Sequence, residues 1–155
     1  MLDAAVNLAR SAHAGQRDKL GVSYICHPLA VMRRVTTGDE KIVAVLHDVV
    51  EDTAVTVDYL RTLGFEVRVV MAVDAVTKRA GEPLAESMAR VAADPLALIV
   101  KRADISHNAD PVRQAELSGE ARARLTENYE KSARLLGTTL AAILEERGAS
   151  VSVQR

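Results

Sequence analysis

The chain has 155 residues, of which 48% are hydrophobic and 26% are charged, and its formal net charge is −1. This length fits one domain with a single core, and the composition is that of a globular rather than a disordered protein. The near-neutral charge and the small number of aromatic residues, 3 Tyr and 1 Phe, leave little material for a basic nucleic-acid surface or for base stacking along a strand. No nucleic-acid partner is therefore expected.

The N-terminus lacks the basic-then-apolar pattern of a signal peptide, and no apolar run reaches the roughly 18 residues that a bilayer span needs. The single cysteine, Cys26, can form neither an internal disulfide nor a pair of zinc thiolates. We therefore predict a cytoplasmic protein with no membrane partner.

Apolar residues recur at helical spacing from the N-terminus onward. They mark a first helix from Leu2 that Gly15 should end, and residues 16–26 follow as a loop. His27 and Pro28 should open the next helix, because proline suits the first helical turn.

A helix that mixes apolar with ionisable residues is predicted next. Asp39 and Glu40 place negative charge at its start, where the macrodipole favours it, and the helix should end near Thr53. Thr56 is a suitable N-cap for a short following helix that Gly64 closes.

The second half of the chain continues the helical pattern. Residues 65–78 are predicted to be a helix, although their valines would also suit a strand, and residues 84–94 form another. Pro95 opens a further helix, and the last long helix is predicted over residues 120–146.

The pattern contains no internal repeat, linker or domain boundary, and its short connections are typical of helical domains. We therefore predict a single all-α domain over residues 1–147, folded as a bundle of roughly seven helices. Residues 148–155 are expected to be a frayed tail.

The stretch AVLHDVVEDT, residues 44–53, places His47, Asp48, Glu51 and Asp52 among valines. On a helix, residues four apart share a face, so His47 would lie over Glu51 and Asp48 over Asp52. Carboxylates this close repel one another, and a divalent cation would remove that cost. On this stretch alone, a metal site and an ordinary surface pair or core histidine remain open.

Two further residues are candidate ligands. His27 opens a helix among apolar neighbours, and Asp104 follows an apolar run in IVKRADISHN. With His47 and Asp48 they make a set of two histidines and two carboxylates, which suits Mn²⁺, Fe²⁺ or Zn²⁺ better than Ca²⁺ or Mg²⁺. Spacing alone does not show that the four converge.

The order of His27, the His47-Asp48 pair and Asp104, within HPLAV, HDVVEDT and VKRADISHN, resembles the HD-domain metal-dependent phosphohydrolases. More narrowly, it resembles the hydrolase domain of the RelA/SpoT-type alarmone enzymes and their small stand-alone relatives, over about residues 1–137. The HDxxED pattern is the specific part, because many other HD enzymes lack the second acidic pair.

The resemblance implies that the two histidines and two aspartates hold one Mn²⁺, with another divalent transition metal as the alternative. Glu51 and Asp52 would be the catalytic residues, which position and deprotonate the attacking water. Attack on phosphorus would release pyrophosphate from the 3′ position of guanosine tetraphosphate or a related phosphorylated nucleotide.

Substrate residues are also implied in the first loop, where the family pattern is Arg-Lys-x-Gly before the tyrosine. Lys19 matches the family lysine, but Asp18 stands where an arginine should stack on the guanine. Asp18 cannot stack in this way and would repel phosphate. Arg17 lies one position early and would compensate only if the loop shifts.

The remaining substrate candidates come from two later helices. Asn108 lies one helical turn after Asp104 and would contact the sugar or phosphate, and His107 is a weaker candidate. Tyr129 could face the nucleobase, with a core position as the alternative. Lys101 is not distinguishable from a surface lysine by sequence.

Two other functions remain open at this stage. One is a broader nucleotide phosphohydrolase or phosphatase of the HD superfamily, which would release orthophosphate. The other is a non-catalytic nucleotide-binding module. In each case the expected partner is a small-molecule nucleotide, and a homo-oligomer is left open.

Overall fold

In the computed structural model, the backbone is described over residues 1–152 and the side chains over residues 1–146. This part of the chain forms eleven helices: α1 (Leu2–Ala12), α2 (Cys26–Met32), α3 (Gly38–Leu46), α4 (Val49–Asp52), α5 (Val57–Thr62), α6 (Val67–Val76), α7 (Leu84–Ala92), α8 (Pro95–Asn108), α9 (Pro111–Gln114), α10 (Gly119–Leu135) and α11 (Leu140–Ser152). Within it, β pairing is limited to an isolated bridge between Arg17 and Ser23. The predicted all-α helical bundle is confirmed.

Helix α3 is the central element and packs against α1, α2, α6 and α8. Residues 42–46, at its C-terminal end, are all buried, and a helical segment that is apolar all round is stable only when other elements surround it. A capping box starts the helix, because Thr37 accepts from the amide of Glu40 at 3.3 Å and the Glu40 carboxylate accepts from the Thr37 amide at 3.0 Å. The capping box thus fixes the N-terminal end of α3, and the burial of residues 42–46 holds its C-terminal end inside the bundle.

Because Leu46 is fully buried in this central helix, we expect Leu46→Ala to lower the free energy of unfolding by about 2–5 kcal/mol. Urea unfolding followed by circular dichroism, without added metal, measures this loss. The control is Leu63→Ala, at a position that is 42% exposed, where the expected change is within about 0.5 kcal/mol. Equal losses in the two variants would contradict the central position of α3.

The prediction of one continuous helix over residues 39–53 is wrong. Helix α3 ends at Leu46, and a turn at His47 and Asp48 separates it from α4. Neighbouring residues of a regular helix point about 100° apart, whereas this turn, with Asp48 at φ −101° and ψ −4°, lets the two side chains meet.

The predicted helix over residues 120–146 is also divided, at Gly137, whose φ of 77° lies in the left-handed region. The amides of Gly137 and Thr138 each donate to carbonyls in the last turn of α10 at 3.0 Å, which is the Schellman arrangement for ending a helix. Thr139 then caps α11 by accepting from the amide of Ala142 at 3.1 Å.

Two further features concern the ends of elements. The short helix α9 was not predicted; Asp110 caps it by accepting from the amide of Val112 at 3.0 Å. The predicted tail over residues 148–155 lies partly in α11 and partly outside the described residues, so the domain limit at residue 147 stays a prediction. None of the helices described is long and apolar enough to cross a membrane.

Candidate metal centre and nucleotide cavity

Three elements bring the four predicted metal ligands into one cluster. His27 lies near the start of α2, Asp104 lies on α8, and His47 and Asp48 form the turn after α3. Nε2 of His27 is 3.1 Å from Oδ1 of Asp104, and Nε2 of His47 is 3.0 Å from Oδ2 of Asp48. The two cross distances are 3.6 Å each. Each imidazole Nε2 therefore faces both carboxylates.

The ring of His47 is oriented for ligation. Its Nδ1 lies 2.7 Å from the carbonyl of Ala44, and since a carbonyl only accepts, Nδ1 carries the proton of the neutral ring. Nε2 is buried and makes no hydrogen bond to any described residue. A buried lone pair that faces carboxylates is unfavourable unless a positive charge lies between them, so these residues fit a divalent cation.

The charges of the cluster also attract positive charge. Burial pulls the pKa of His47 down, but the carboxylates of Asp48 and Asp104 outweigh it and raise that pKa well above its ordinary value. Burial likewise opposes ionisation of Asp104, yet the ammonium of Lys101 and the two histidines hold its pKa well below the usual range. A proton and a metal ion would therefore compete for the same nitrogen.

Glu51 and Asp52, on α4, lie at the exposed rim beside the cluster. With Asp48 they form a group in which one carboxylate oxygen from each lies within 4.8 Å of the others. Oε1 of Glu51 accepts from the backbone amide of Lys78 at 2.8 Å, which fixes its position. Partial desolvation and the charge of Asp48 raise the pKa of both carboxyls. A raised pKa makes each carboxylate a stronger proton acceptor.

Tyr24 was missed as a site residue by sequence reasoning. Its hydroxyl donates to Oδ2 of Asp48 at 2.6 Å, and its ring lies 4.9 Å from the ring of His13 and 6.0 Å from that of His27. Burial and the nearby Asp48 raise the pKa of Tyr24, so it remains a donor. The available signal was its place three residues before His27 in the run YICHP.

Helix α8 turns Lys101 and Asn108 toward the same point as Asp104, because they lie three residues before it and four after it. Nζ of Lys101 donates to Oδ2 of Asp104 at 2.7 Å, and Nδ2 of Asn108 donates to Oδ1 at 2.8 Å. Asp104 outweighs burial and raises the pKa of Lys101, which therefore stays charged. The structure thus distinguishes Lys101 from a surface lysine.

A cavity of about 410 Å³ lies against the cluster. Its wall includes all four residues predicted to bind substrate, namely Arg17, Lys19, Asn108 and Tyr129. Apolar side chains complete the wall, among them Leu20, Leu117 and Leu125. The cations suit phosphate groups, and the apolar surface suits the face of an aromatic ring, so a cavity of this size can hold a phosphorylated ligand with such a ring.

Asp18 organises the first loop instead of facing the cavity as an unpaired charge. Its Oδ1 accepts from the amides of Leu20 and Val22 at 2.9 and 3.0 Å, and its Oδ2 lies 3.3 Å from Nη2 of Arg113. Arg17 donates to a loop carbonyl at 2.8 Å. This bond holds Nη1 of Arg17 to its own loop, while the side chain also lines the cavity.

His107 and Arg113 adjoin the cluster on the side of His27. Nδ1 of His107 lies 2.7 Å from Nδ1 of His27 and also 2.7 Å from Nη1 of Arg113. Burial and these two neighbours lower the pKa of His107 to about 3, so its ring is neutral. Sequence reasoning missed Arg113, because nothing in the sequence indicated that α9 would turn it toward residues far away in the chain.

No protein-family model matches the chain. The solved structure of a metazoan orthologue of SpoT that hydrolyses ppGpp superposes with a TM-score of 0.77 at 24% identity, over 96% of this chain and 94% of that one. A mouse guanosine-3′,5′-bis(diphosphate) 3′-pyrophosphohydrolase is 32% identical in an alignment of 167 positions, gaps included, that covers 93% of each chain.

Two longer bacterial proteins are also similar. A probable guanosine-3′,5′-bis(diphosphate) 3′-pyrophosphohydrolase of Synechocystis is 38% identical over 115 residues, and a GTP pyrophosphokinase of Streptomyces coelicolor is 34% identical over 151 residues. The alignments cover 64% and 88% of this chain but only 15% and 18% of those proteins. The chain therefore spans less than a fifth of the length of these relatives.

The helical bundle, with an HD pair facing a second histidine and a second aspartate, defines an HD-domain protein. The similarity to the mouse hydrolase, which covers 93% of each chain, identifies the subgroup of HD-domain proteins. The chain belongs to the HD-domain hydrolases of the RelA/SpoT type.

Proposed function

We propose that the chain is a metal-dependent pyrophosphohydrolase that removes the 3′-pyrophosphate from guanosine tetraphosphate or a related phosphorylated nucleotide. The observation that carries the proposal is the position of Glu51 and Asp52 beside a two-histidine, two-aspartate cluster at one cavity. The names of the mouse and Synechocystis relatives support the substrate class.

Mn²⁺ is the proposed metal, held by His27, His47, Asp48 and Asp104. Mixed imidazole and carboxylate ligation favours Mn²⁺, Fe²⁺ or Zn²⁺ over Mg²⁺, which prefers oxygen ligands. When bound, such a cation acidifies water and offsets negative charge on the phosphate.

The protein side chains perform the remaining tasks. Glu51 and Asp52 hold the attacking water and accept its proton, for which their raised pKa values suit them. Water attacks the phosphorus that is joined to the 3′ oxygen, the bond to that oxygen breaks, and a proton completes the sugar hydroxyl. Lys101 and Lys19 offset phosphate charge, and Asn108 contacts the sugar or phosphate.

A substrate panel with added Mn²⁺ tests the proposal, and it contains guanosine tetraphosphate, NADPH and simple nucleotides. We expect guanosine tetraphosphate to yield pyrophosphate and guanosine 5′-diphosphate in equal amounts. Orthophosphate as the product would support the broader phosphatase instead. Binding without turnover of any compound would support the non-catalytic module.

Metal addition should stabilise the protein, because a ligand that binds only the folded state shifts the unfolding equilibrium. We expect saturating Mn²⁺ to raise the melting temperature of chelator-treated protein by about 5–10 °C. Differential scanning calorimetry measures the shift, and Mg²⁺ at the same concentration is the control that should raise it less. Equal shifts with both ions would contradict the mixed nitrogen and oxygen ligand set.

The cellular setting and assembly are part of the proposal. A cytoplasmic location is supported by the single cysteine, Cys26, which is free and exposed. The small-molecule nucleotide is the proposed partner, and a homo-oligomer stays a prediction.

A further inference from the structure

Arg113 reaches across the cavity wall from α9 to the first loop. Its Nη2 lies 3.3 Å from Oδ2 of Asp18, a residue 95 positions away in the chain. Its Nη1 lies 2.7 Å from Nδ1 of His107. The side chains of Arg113 and Asp18 are 23% and 13% exposed, so the pair is mostly desolvated yet borders the cavity.

These contacts use the terminal nitrogens of the guanidinium and restrict its rotation. An arginine whose terminal nitrogens already have partners is a poor clamp for phosphate, since phosphate recognition needs those same donors. The planar faces of the group take no part in such contacts, and a guanidinium face stacks well on an aromatic ring. The cavity wall that includes Arg113 also includes Leu20, Leu117 and Tyr129, against which the faces of a flat ring can pack.

Asp18 has a positioning role in this arrangement. One carboxylate oxygen shapes the loop through the amides of Leu20 and Val22, while the other holds Arg113. With an unpaired charge, Asp18 would repel phosphate. Its carboxylate instead pairs with the guanidinium of Arg113 and orients it.

We propose that Arg113 is a specificity-determining residue that stacks its guanidinium face on the nucleobase of the substrate, in an orientation held by Asp18. This inference rests on the proposed function, because it names how a nucleotide is bound at that site. Arg17, Lys19 and Lys101 are then the other cations of the cavity wall that can meet the phosphates.

Calorimetric titration of the Mn²⁺-loaded full chain tests the inference with two separate probes. Guanosine 5′-diphosphate carries the base but lacks the 3′-pyrophosphate, and inorganic pyrophosphate carries no base. We expect Arg113→Ala to weaken the binding of guanosine 5′-diphosphate about tenfold, because loss of one stacking partner has this size. Pyrophosphate binding should stay within about twofold. Arg113→Lys should behave like Arg113→Ala, since an ammonium has charge but no planar face.

The matched control is Arg61→Ala, which removes the arginine of an exposed Arg–Asp pair on α5, outside the cavity wall. It should change neither the affinity for guanosine 5′-diphosphate nor the affinity for pyrophosphate.

Asp18→Asn keeps an oxygen for the loop amides but loses the charge that holds Arg113. We expect Asp18→Asn to weaken guanosine 5′-diphosphate binding by less than Arg113→Ala does. The double variant Asp18→Asn/Arg113→Ala should bind guanosine 5′-diphosphate as tightly as Arg113→Ala alone. Melting temperatures of all variants verify that they fold.

Three results would overturn the inference. The first is that Arg113→Ala binds guanosine 5′-diphosphate as tightly as the wild type does. The second is that Arg113→Ala loses as much affinity for pyrophosphate as for guanosine 5′-diphosphate, which would assign Arg113 to phosphate. The third is that the wild-type protein does not bind guanosine 5′-diphosphate. The proposed function is judged separately by pyrophosphate release from guanosine tetraphosphate. A wild type that hydrolyses this substrate, together with an Arg113→Ala variant of normal affinity, would reject the inference alone.

Discussion

We expect His47→Ala to abolish metal binding and turnover together. The Nε2 of His47 is buried, faces two carboxylates and makes no hydrogen bond to a described residue. Its removal would leave the cluster without one of its two candidate nitrogen ligands. The affinity for Mn²⁺ should fall by more than about 100-fold, because the loss of even an outer partner of a metal ligand costs about 10- to 100-fold. Titration calorimetry and the metal content after dialysis measure this change.

His13→Ala is the matched control, because it removes another buried histidine of the same domain. Nδ1 of His13 lies 2.7 Å from Oε1 of Gln16. His13 belongs neither to the predicted metal ligands nor to the carboxylate group of Asp48, Glu51 and Asp52. It should lower the melting temperature while Mn²⁺ still binds. Mn²⁺ binding of normal affinity by His47→Ala would refute the assignment of His47 as a ligand.

We expect Glu51→Gln to keep the metal and lose turnover. The amide oxygen of glutamine can still accept from the backbone amide of Lys78, so the local structure should persist. Glutamine cannot accept the proton of water, and kcat should therefore fall by about 10²- to 10⁴-fold. The rate of pyrophosphate release at saturating substrate measures kcat, and Mn²⁺ titration of the same sample measures metal affinity.

Glu86→Gln is the control for this variant. It removes the charge of an exposed glutamate on α7, outside the cavity wall, and should leave kcat unchanged. A normal kcat for Glu51→Gln would exclude Glu51 as the proton acceptor. Loss of Mn²⁺ by this variant would instead identify Glu51 as a ligand.

The two divided helices show where sequence reasoning was limited. The capping signals at Thr37 and Thr56 act within a few residues, so the starts of α3 and α5 were predictable. Gly137 is also a local signal, but the apolar pattern continues on both sides of it and predicts one helix across it. The turn at His47 and Asp48 has no glycine or proline, and no local signal in the sequence indicated it.

The sequence by itself determined the all-α class, because helical periodicity is a property of neighbouring residues. The HDxxED pattern is equally local and indicated two of the four candidate metal ligands, His47 and Asp48. Only the tertiary structure decided which distant side chains meet. Tyr24 meets Asp48 and Arg113 meets Asp18 across 24 and 95 positions. Such contacts depend on how helices pack, and packing follows from the burial of whole helix faces rather than from the spacing of any motif. For this reason the sequence indicated that Asp18 stands where the family pattern has an arginine. Only the fold showed that the guanidinium of Arg113, on α9, lies beside Asp18.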